Sequence, residues 1–169
     1  GSVYEIPVKE NYFDNILCFE LIEHLEFPDE AIKEISRVLK IGGRAFFSIP
    51  FMYRHHSNPK DFQRWTHEKI QKEFNSNGFE IEYFENRGGW LIVLFDVFIN
   101  GILGFKKKGL FSFIFYILFQ SIGKTLIALS SIIIFFDNLI LRSNIHSNYY
   151  RYTTWYFFVV KKSVKNNRE

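Results

Sequence analysis

At 169 residues and 20.2 kDa the chain holds one domain, or one domain with an appendage. A composition of 47% apolar and 23% charged residues excludes a disordered tail, and a single cysteine, Cys18, excludes a disulfide scaffold and a Cys-based zinc module. The net charge of +3 is unevenly placed: residues 1–87 carry 11 Lys and Arg against 15 Asp and Glu, whereas residues 88–169 carry 10 against 3.

Cys18 reads as a small buried hydrophobe. Aromatic residues make up 20% of the chain, 21 of them Phe, more apolar surface than a small core needs. Some of that surface is expected to face a membrane or a partner. The basic C-terminal half suits an anionic membrane surface or nucleic acid, and charge alone does not choose. The chain begins at Gly1 and its only Met is Met52, so it reads as a fragment or a processed chain. It opens without a charged-then-apolar leader, which makes the cytoplasm the expected compartment.

Residues 15–20 form a short apolar run expected to be a strand buried on both faces. Pro28 opens a helix in which Ala31, Ile32, Ile35, Val38 and Leu39 recur at helical spacing, with Asp29 and Glu30 in the first turn. Lys40 is expected in its last turn and Gly42-Gly43 as its stop. Residues 44–50 read as a second buried strand ended by Pro50. After a polar loop with two histidines, Thr66 caps a helix to about Ser76, ended by Asn77-Gly78. Residues 79–85 alternate as an edge strand. Strand, helix, strand, helix, strand predicts a parallel α/β sheet. Residues 88–141 carry only six charges and break the rhythm, residues 152–160 read as a final strand, and residues 163–169 are a basic tail.

Asp14, the strand to Glu20, Glu23-His24-Leu25, Pro28, Arg37-Val38-Leu39-Lys40, Gly42-Gly43 and Ser48-Ile49-Pro50 form an ordered series. The series resembles the distal half of a class I S-adenosylmethionine-dependent methyltransferase of the Rossmann-like type, over residues 1–90 and again at 152–160. The resemblance implies a partial Rossmann-like α/β sheet made of the distal strands, the last one antiparallel, with a helical insertion before it. The implied organisation is 1–87 for the distal half of the methyltransferase domain, 88–150 for the insertion, 151–162 for the final strand and 163–169 for the tail. It also implies S-adenosyl-L-methionine as cofactor, with Gly1–Pro7 as the loop that packs on the adenine. Ser2 stands where the family usually has Asp. The family's Gly-rich turn and ribose-binding acid lie upstream of this region, so this chain alone is expected to be inactive.

Through the same resemblance, Ser2, Val3, Phe19 and Glu20 are the cofactor-binding candidates, Glu20 near the methionine part and His24 near the reacting atom. The string Glu20-x-x-Glu23-His24 is also similar to the metal site of small-RNA 2′-O-methyltransferases and ubiquinone-pathway O-methyltransferases. Cofactor or acceptor contact is the reading preferred here, over a metal site or a structural polar cluster, and no metal is assigned. The loop from His55 to Thr66 resembles a His-x-x-Pro-x-Asp-x-x-Arg-x-Thr signature of methyltransferases from glycan-biosynthesis clusters. It makes His56 a candidate general base, with Asp61 orienting it or pairing with Arg64; a purely structural Asp61–Arg64 staple is the alternative. His24, His56, Asp61 and Arg64 are the catalytic candidates. Trp90 is read as a buried aromatic in preference to a lid.

Residues 109–136 contain one charge, Lys124, in 28 positions, enough for a helix ~42 Å long. Ser112, Tyr116, Gln120, Lys124 and Ala128 form a narrow polar stripe on it. If residues 152–160 rejoin the sheet, a single crossing is excluded, and two crossings would bury Asp96 and Lys124 at ~2.5–3.5 kcal/mol each. A helical hairpin on the inner membrane face, with Lys106-Lys107-Lys108 on anionic headgroups, is expected instead. A cap on its own domain or on a second subunit is the alternative. The reading is O-methyl transfer to a glycan, lipid-linked or other membrane-proximal small acceptor, with a homo-oligomer as a further partner and nucleic acid disfavoured. Its rivals are a non-catalytic docking module and a metal-dependent RNA 2′-O-methyltransferase.

Overall fold

The computed structural model describes residues 1–56, 59–103 and 153–163 and scattered positions between 117 and 139. Among the described residues are four strands, β1 (Phe13–Phe19), β2 (Leu39–Pro50), β3 (Phe79–Arg87) and β4 (Trp155–Lys162). They carry three helices, α1 (Pro28–Val38), α2 (His67–Ser76) and α3 (Trp90–Leu103). The chain divides into two units, one of residues 1–51, 55–87 and 155–169 and one of residues 52–54 and 88–154.

The first unit is a mixed α/β sheet of order β1-β2-β4-β3. β2 runs parallel to β1, and β4 runs antiparallel to both β2 and β3. β1, β2 and β3 therefore share one direction, and their carboxyl ends lie where β4 begins. Strand β4 alternates, burying Tyr156, Phe158 and Val160 on one face, as a period-two strand does. Phe158 stacks on Phe47 at 5.3 Å and on Phe84 at 5.7 Å, while Phe74 meets Phe47 and Phe158 edge-on at 4.7 and 5.0 Å. These aromatic contacts join both central strands to α2.

Pro28 opens α1, whose apolar stripe of Ala31, Ile32, Ile35 and Val38 is buried. The helix ends at Val38, short of the expected Lys40. Leu39 leaves helical geometry because it is fully buried as the register partner of Phe13, so β2 starts at Leu39 and not at residue 44. Gly42-Gly43 therefore lies in a bulge between Leu39 and Arg44 and is not the helix stop. Gly42 has φ +80°, and a Cβ on Gly43 would stand 2.8 Å from the Asp14 carbonyl, so only glycine admits the two backbones there. Thr66 caps α2 as expected, its Oγ1 accepting from Lys69 N at 3.3 Å, and Gly78 ends that segment at φ +81°.

β1 is not buried on both faces. It is an edge of the described sheet, with Leu17 68% and Phe19 49% exposed. Cys18 is buried, and burial, with the nearby Glu23 charge, pushes its thiol up to about 12. Ahead of β1 the chain is latched to α1: Glu34 accepts from Ile6 N at 2.7 Å, and Arg37 donates to the Ile6 and Val8 carbonyls at 2.9 Å each. The Arg37 hydrogen bonds hold the Glu34 carboxyl down at about 2.

In the second unit Met52 N donates to Thr153 O at 3.1 Å and Thr154 N to Gly88 O at 3.2 Å. No helix among the described residues is long and apolar enough to cross a membrane. Trp90, at the first position of α3, is 41% exposed, so its expected burial does not occur. Most of residues 109–136, the second arm of the expected hairpin, lies outside the described residues, as do Lys106-Lys107-Lys108 and the tail beyond Ser163.

Phe158→Ala removes the ring shared by the two central strands and α2 and is expected to cost ~3–5 kcal/mol in urea unfolding. Glu34→Gln tests the latch. The folded carboxyl sits near 2, below its ordinary 4.5, so its stabilisation is complete above 4.5 and lost as the pH falls through 2. The variant's deficit in thermal midpoint should be largest near neutrality and close over that window.

Candidate functional site

β1 delivers the chain to the carboxyl edge at Glu20, where φ is +48°, a left-handed conformation uncommon for a residue with a side chain. Its carboxylate is fixed from two strands: Ser48 Oγ donates to Oε1 at 2.5 Å and Trp155 Nε1 donates to Oε2 at 2.9 Å. Glu20, Ser48, Arg87, Trp155, Tyr156 and Phe157 line a groove of about 420 Å³. Phe19 lies beside it, its ring 6.4 Å from that of Phe157. Ser2 and Val3 do not join this group through any described contact. The Ser2 hydroxyl accepts from Tyr4 N at 3.2 Å within its own turn, and Val3 packs on the core.

Beyond Glu20 a 3-10 turn, Ile22–His24, buries Ile22 and Glu23 completely. The segment from residue 59 to Thr66 is stitched onto this turn: Phe62 N donates to Glu23 O at 2.8 Å, and Gln63 Nε2 donates to the Ile22 and Leu25 carbonyls at 3.0 and 2.9 Å. Gln63 is itself steadied by Trp65, whose Nε1 donates to Gln63 Oε1 at 2.8 Å. The stitching brings His56, Asp61 and Arg64 to His24. The His24 and His56 rings meet edge-on at 4.9 Å. Ser57 and Asn58 of the same loop lie outside the described residues.

Asp61 is the anchor of the cluster, with a side chain only 2% exposed. It accepts from both terminal nitrogens of Arg64, at 2.7 Å from Nη2, and from His56 N at 2.9 Å. These bonds, Arg64 foremost, hold its carboxyl well below the usual carboxylate range. His56 Nδ1 stands 3.3 Å from Asp61 Oδ2. His24 Nδ1 is 2.5 Å from the Lys60 carbonyl, which can only accept, so that nitrogen carries the proton. The other ring nitrogen of His24 faces Glu23 Oε1 at 3.6 Å. Among the described residues neither carboxylate oxygen of Glu23 has a hydrogen-bond partner. Burial, with the Glu20 charge adding to it, pushes the Glu23 carboxyl up, against the opposing pull of its own backbone N–H and the two imidazoles.

The four catalytic candidates thus form one cluster, with Glu23 at its floor. The cofactor candidates separate into Phe19 and Glu20 at the groove and Ser2 and Val3 away from it. Sequence reasoning passed over Gln63, which has no signature, and Trp155, which lies 135 positions from Glu20 and carries no local signal. It also passed over the Lys60 carbonyl, a backbone atom that residue type does not encode.

A family model described as a methyltransferase domain matches residues 1–47. An uncharacterized methyltransferase of Schizosaccharomyces pombe is 27% identical over 92 residues, covering 54% of this chain and 33% of its own length. An uncharacterized protein of Methanocaldococcus jannaschii is 31% identical over 88 residues, covering 49% and 37%. The chain thus spans about a third of the length of these curated relatives. Among solved structures, the cyclase SpnF is similar with a TM-score of 0.54 at 16% identity, over 97% of this chain and 56% of that one. An S-adenosylmethionine-dependent methyltransferase of Methanosarcina mazei aligns at 0.51 and 10% identity, over 98% and 66%. The cyclase shows that this fold does not by itself fix the reaction. Over residues 1–47 the chain is similar in sequence to a methyltransferase domain, and in the fold of its sheet it is similar to a solved S-adenosylmethionine-dependent methyltransferase.

Proposed function

We propose that the chain is part of an S-adenosylmethionine-dependent methyltransferase acting on a hydroxyl of a glycan, lipid-linked or other membrane-proximal small acceptor. The observation that carries the reading is Glu20, held at the carboxyl edge by Ser48 and Trp155 within the groove. Open α/β sheets bind ligands at this edge. A carboxylate with aromatic neighbours suits the cationic methionine end of the cofactor, and Phe19 lies beside it. When bound, the cofactor supplies a methyl group on a positively charged sulfur.

The acceptor oxygen forms a bond to that methyl carbon as the carbon–sulfur bond breaks, and the acceptor's proton must leave. His56 takes that proton in this reading. Asp61, kept anionic by Arg64, orients the imidazole and favours the imidazolium that forms. The membrane-proximal acceptor rests on the second unit, where Leu94, Val97, Phe98, Phe135 and Phe136 are each more than half exposed.

The experiment is calorimetric titration of S-adenosylhomocysteine into the 169-residue chain and into a longer polypeptide extended by the upstream coding sequence. Binding by the longer polypeptide is expected, weakened about 10- to 100-fold by Glu20→Ala. Asp61→Asn should leave that affinity in place and lower methyl transfer. Silence from both polypeptides would overturn the reading in favour of a docking module.

A further inference from the structure

Burying a carboxylate without hydrogen bonds costs several kcal/mol unless a counter-charge meets it. Glu23 is fully buried, and among the described residues both of its oxygens lack a hydrogen-bond partner. Facing it is the His24 nitrogen that does not bind the Lys60 carbonyl, so in the neutral ring a lone pair points at a carboxylate. At 3.6 Å this contact is too long for a hydrogen bond. His56 completes the group, and one donor atom from each of Glu23, His24 and His56 lies within 4.8 Å of the others.

We propose that Glu23, His24 and His56 bind one divalent transition-metal ion. Two ligands each about 2.0–2.2 Å from a tetrahedral ion stand ~3.4 Å apart, close to the Glu23–His24 separation of 3.6 Å. His24 is also backed on Nδ1 by the Lys60 carbonyl, the arrangement that orients metal-binding histidines, while His56 Nδ1 stands 3.3 Å from Asp61 Oδ2 and 3.4 Å from Arg64 Nη2. The donor set differs from the Glu20-x-x-Glu23-His24 string in the sequence. Glu20 is engaged by Ser48 and Trp155, and His56 takes its place. The geometry also departs from the sequence reading, which assigns no metal here.

Two imidazoles and one carboxylate favour zinc, cobalt, manganese or ferrous iron over magnesium or calcium, which take oxygen ligands. Three protein ligands leave a position open for water or for an acceptor oxygen. A proton and an ion are alternative occupants of the same donors, and the inference stands on this geometry without requiring methyl transfer.

The test uses the 169-residue chain stripped with a chelator and titrated with Co²⁺, followed by visible absorption, then displaced with Zn²⁺. One ion per chain is expected, with Zn²⁺ raising the thermal midpoint. Glu23→Gln, close in shape, and His24→Asn should each abolish the cobalt spectrum, circular dichroism reporting that the variants fold. Asp61→Asn should weaken binding ~10–100-fold through His56. His55→Ala and His67→Ala, outside the cluster, should leave it unchanged. No cobalt spectrum from the parent chain, or equal binding by Glu23→Gln, would overturn the proposal. The readout is ion binding, so its failure is distinct from a failure to bind S-adenosylhomocysteine.

Discussion

The antiparallel placement of the last strand between β2 and β3 is the constraint on which the rest of the structure depends. β4 pairs along its length with both neighbours, Trp155 facing Pro50 on one side and Arg87 on the other. Among the described residues the two parallel strands that flank it are therefore paired into one sheet through a segment that arrives after residue 154. Phe158 fills the core they share. The same placement puts the Trp155 indole against Glu20, so the final strand finishes the carboxyl edge that β1 begins. The chain leaves the sheet after Arg87 and re-enters at that residue's register partner. Gly88, at φ +71°, makes this passage, and a Cβ there would meet Thr154 Oγ1 at 2.6 Å.

The site depends on a second long-range event, the docking of the segment around Asp61 to Arg64 over the turn at Ile22–His24. Gln63 satisfies two carbonyls of that turn and Phe62 N a third, so the backbone there is paired without regular structure. The charges inside the docked cluster are sorted. Arg64 keeps Asp61 anionic, whereas Glu23 sits where burial disfavours its charge. Two carboxyls pushed in opposite directions beside two imidazoles are suited to handling a proton or a cation.

What was legible in the sequence was local. Pro28 with an acidic first turn, Thr66 as a cap and Gly78 as a stop each act within one helical turn, and the structure has them in those roles. The Asp61–Arg64 pairing is three residues long and was equally readable. The end of α1 was not, because Leu39 obeys its pairing with Phe13 and not its helical spacing. An apolar run such as residues 15–20 does not say which strand lies beside it, and β1 turns out to be an edge of the described sheet. Glu20 was read as a cofactor contact, but its partners Ser48 and Trp155 come from two other strands and left no local signal. Glu23 was read as one member of a string, and only burial without a hydrogen-bond partner makes it the centre of the cluster.

The docked loop fixes the His24 ring so that its second nitrogen addresses Glu23. Long-range nitrogen–proton NMR on the chain with labelled histidine reads this directly, because the two ring nitrogens differ in shift according to which one carries the proton. His24 is expected to carry its proton on Nδ1, donated to the Lys60 carbonyl, and Glu23→Gln to leave this unchanged. A neutral His24 protonated only on the nitrogen facing Glu23 would contradict it, and both the proton-handling and the ion-binding readings of the cluster would fall with that result.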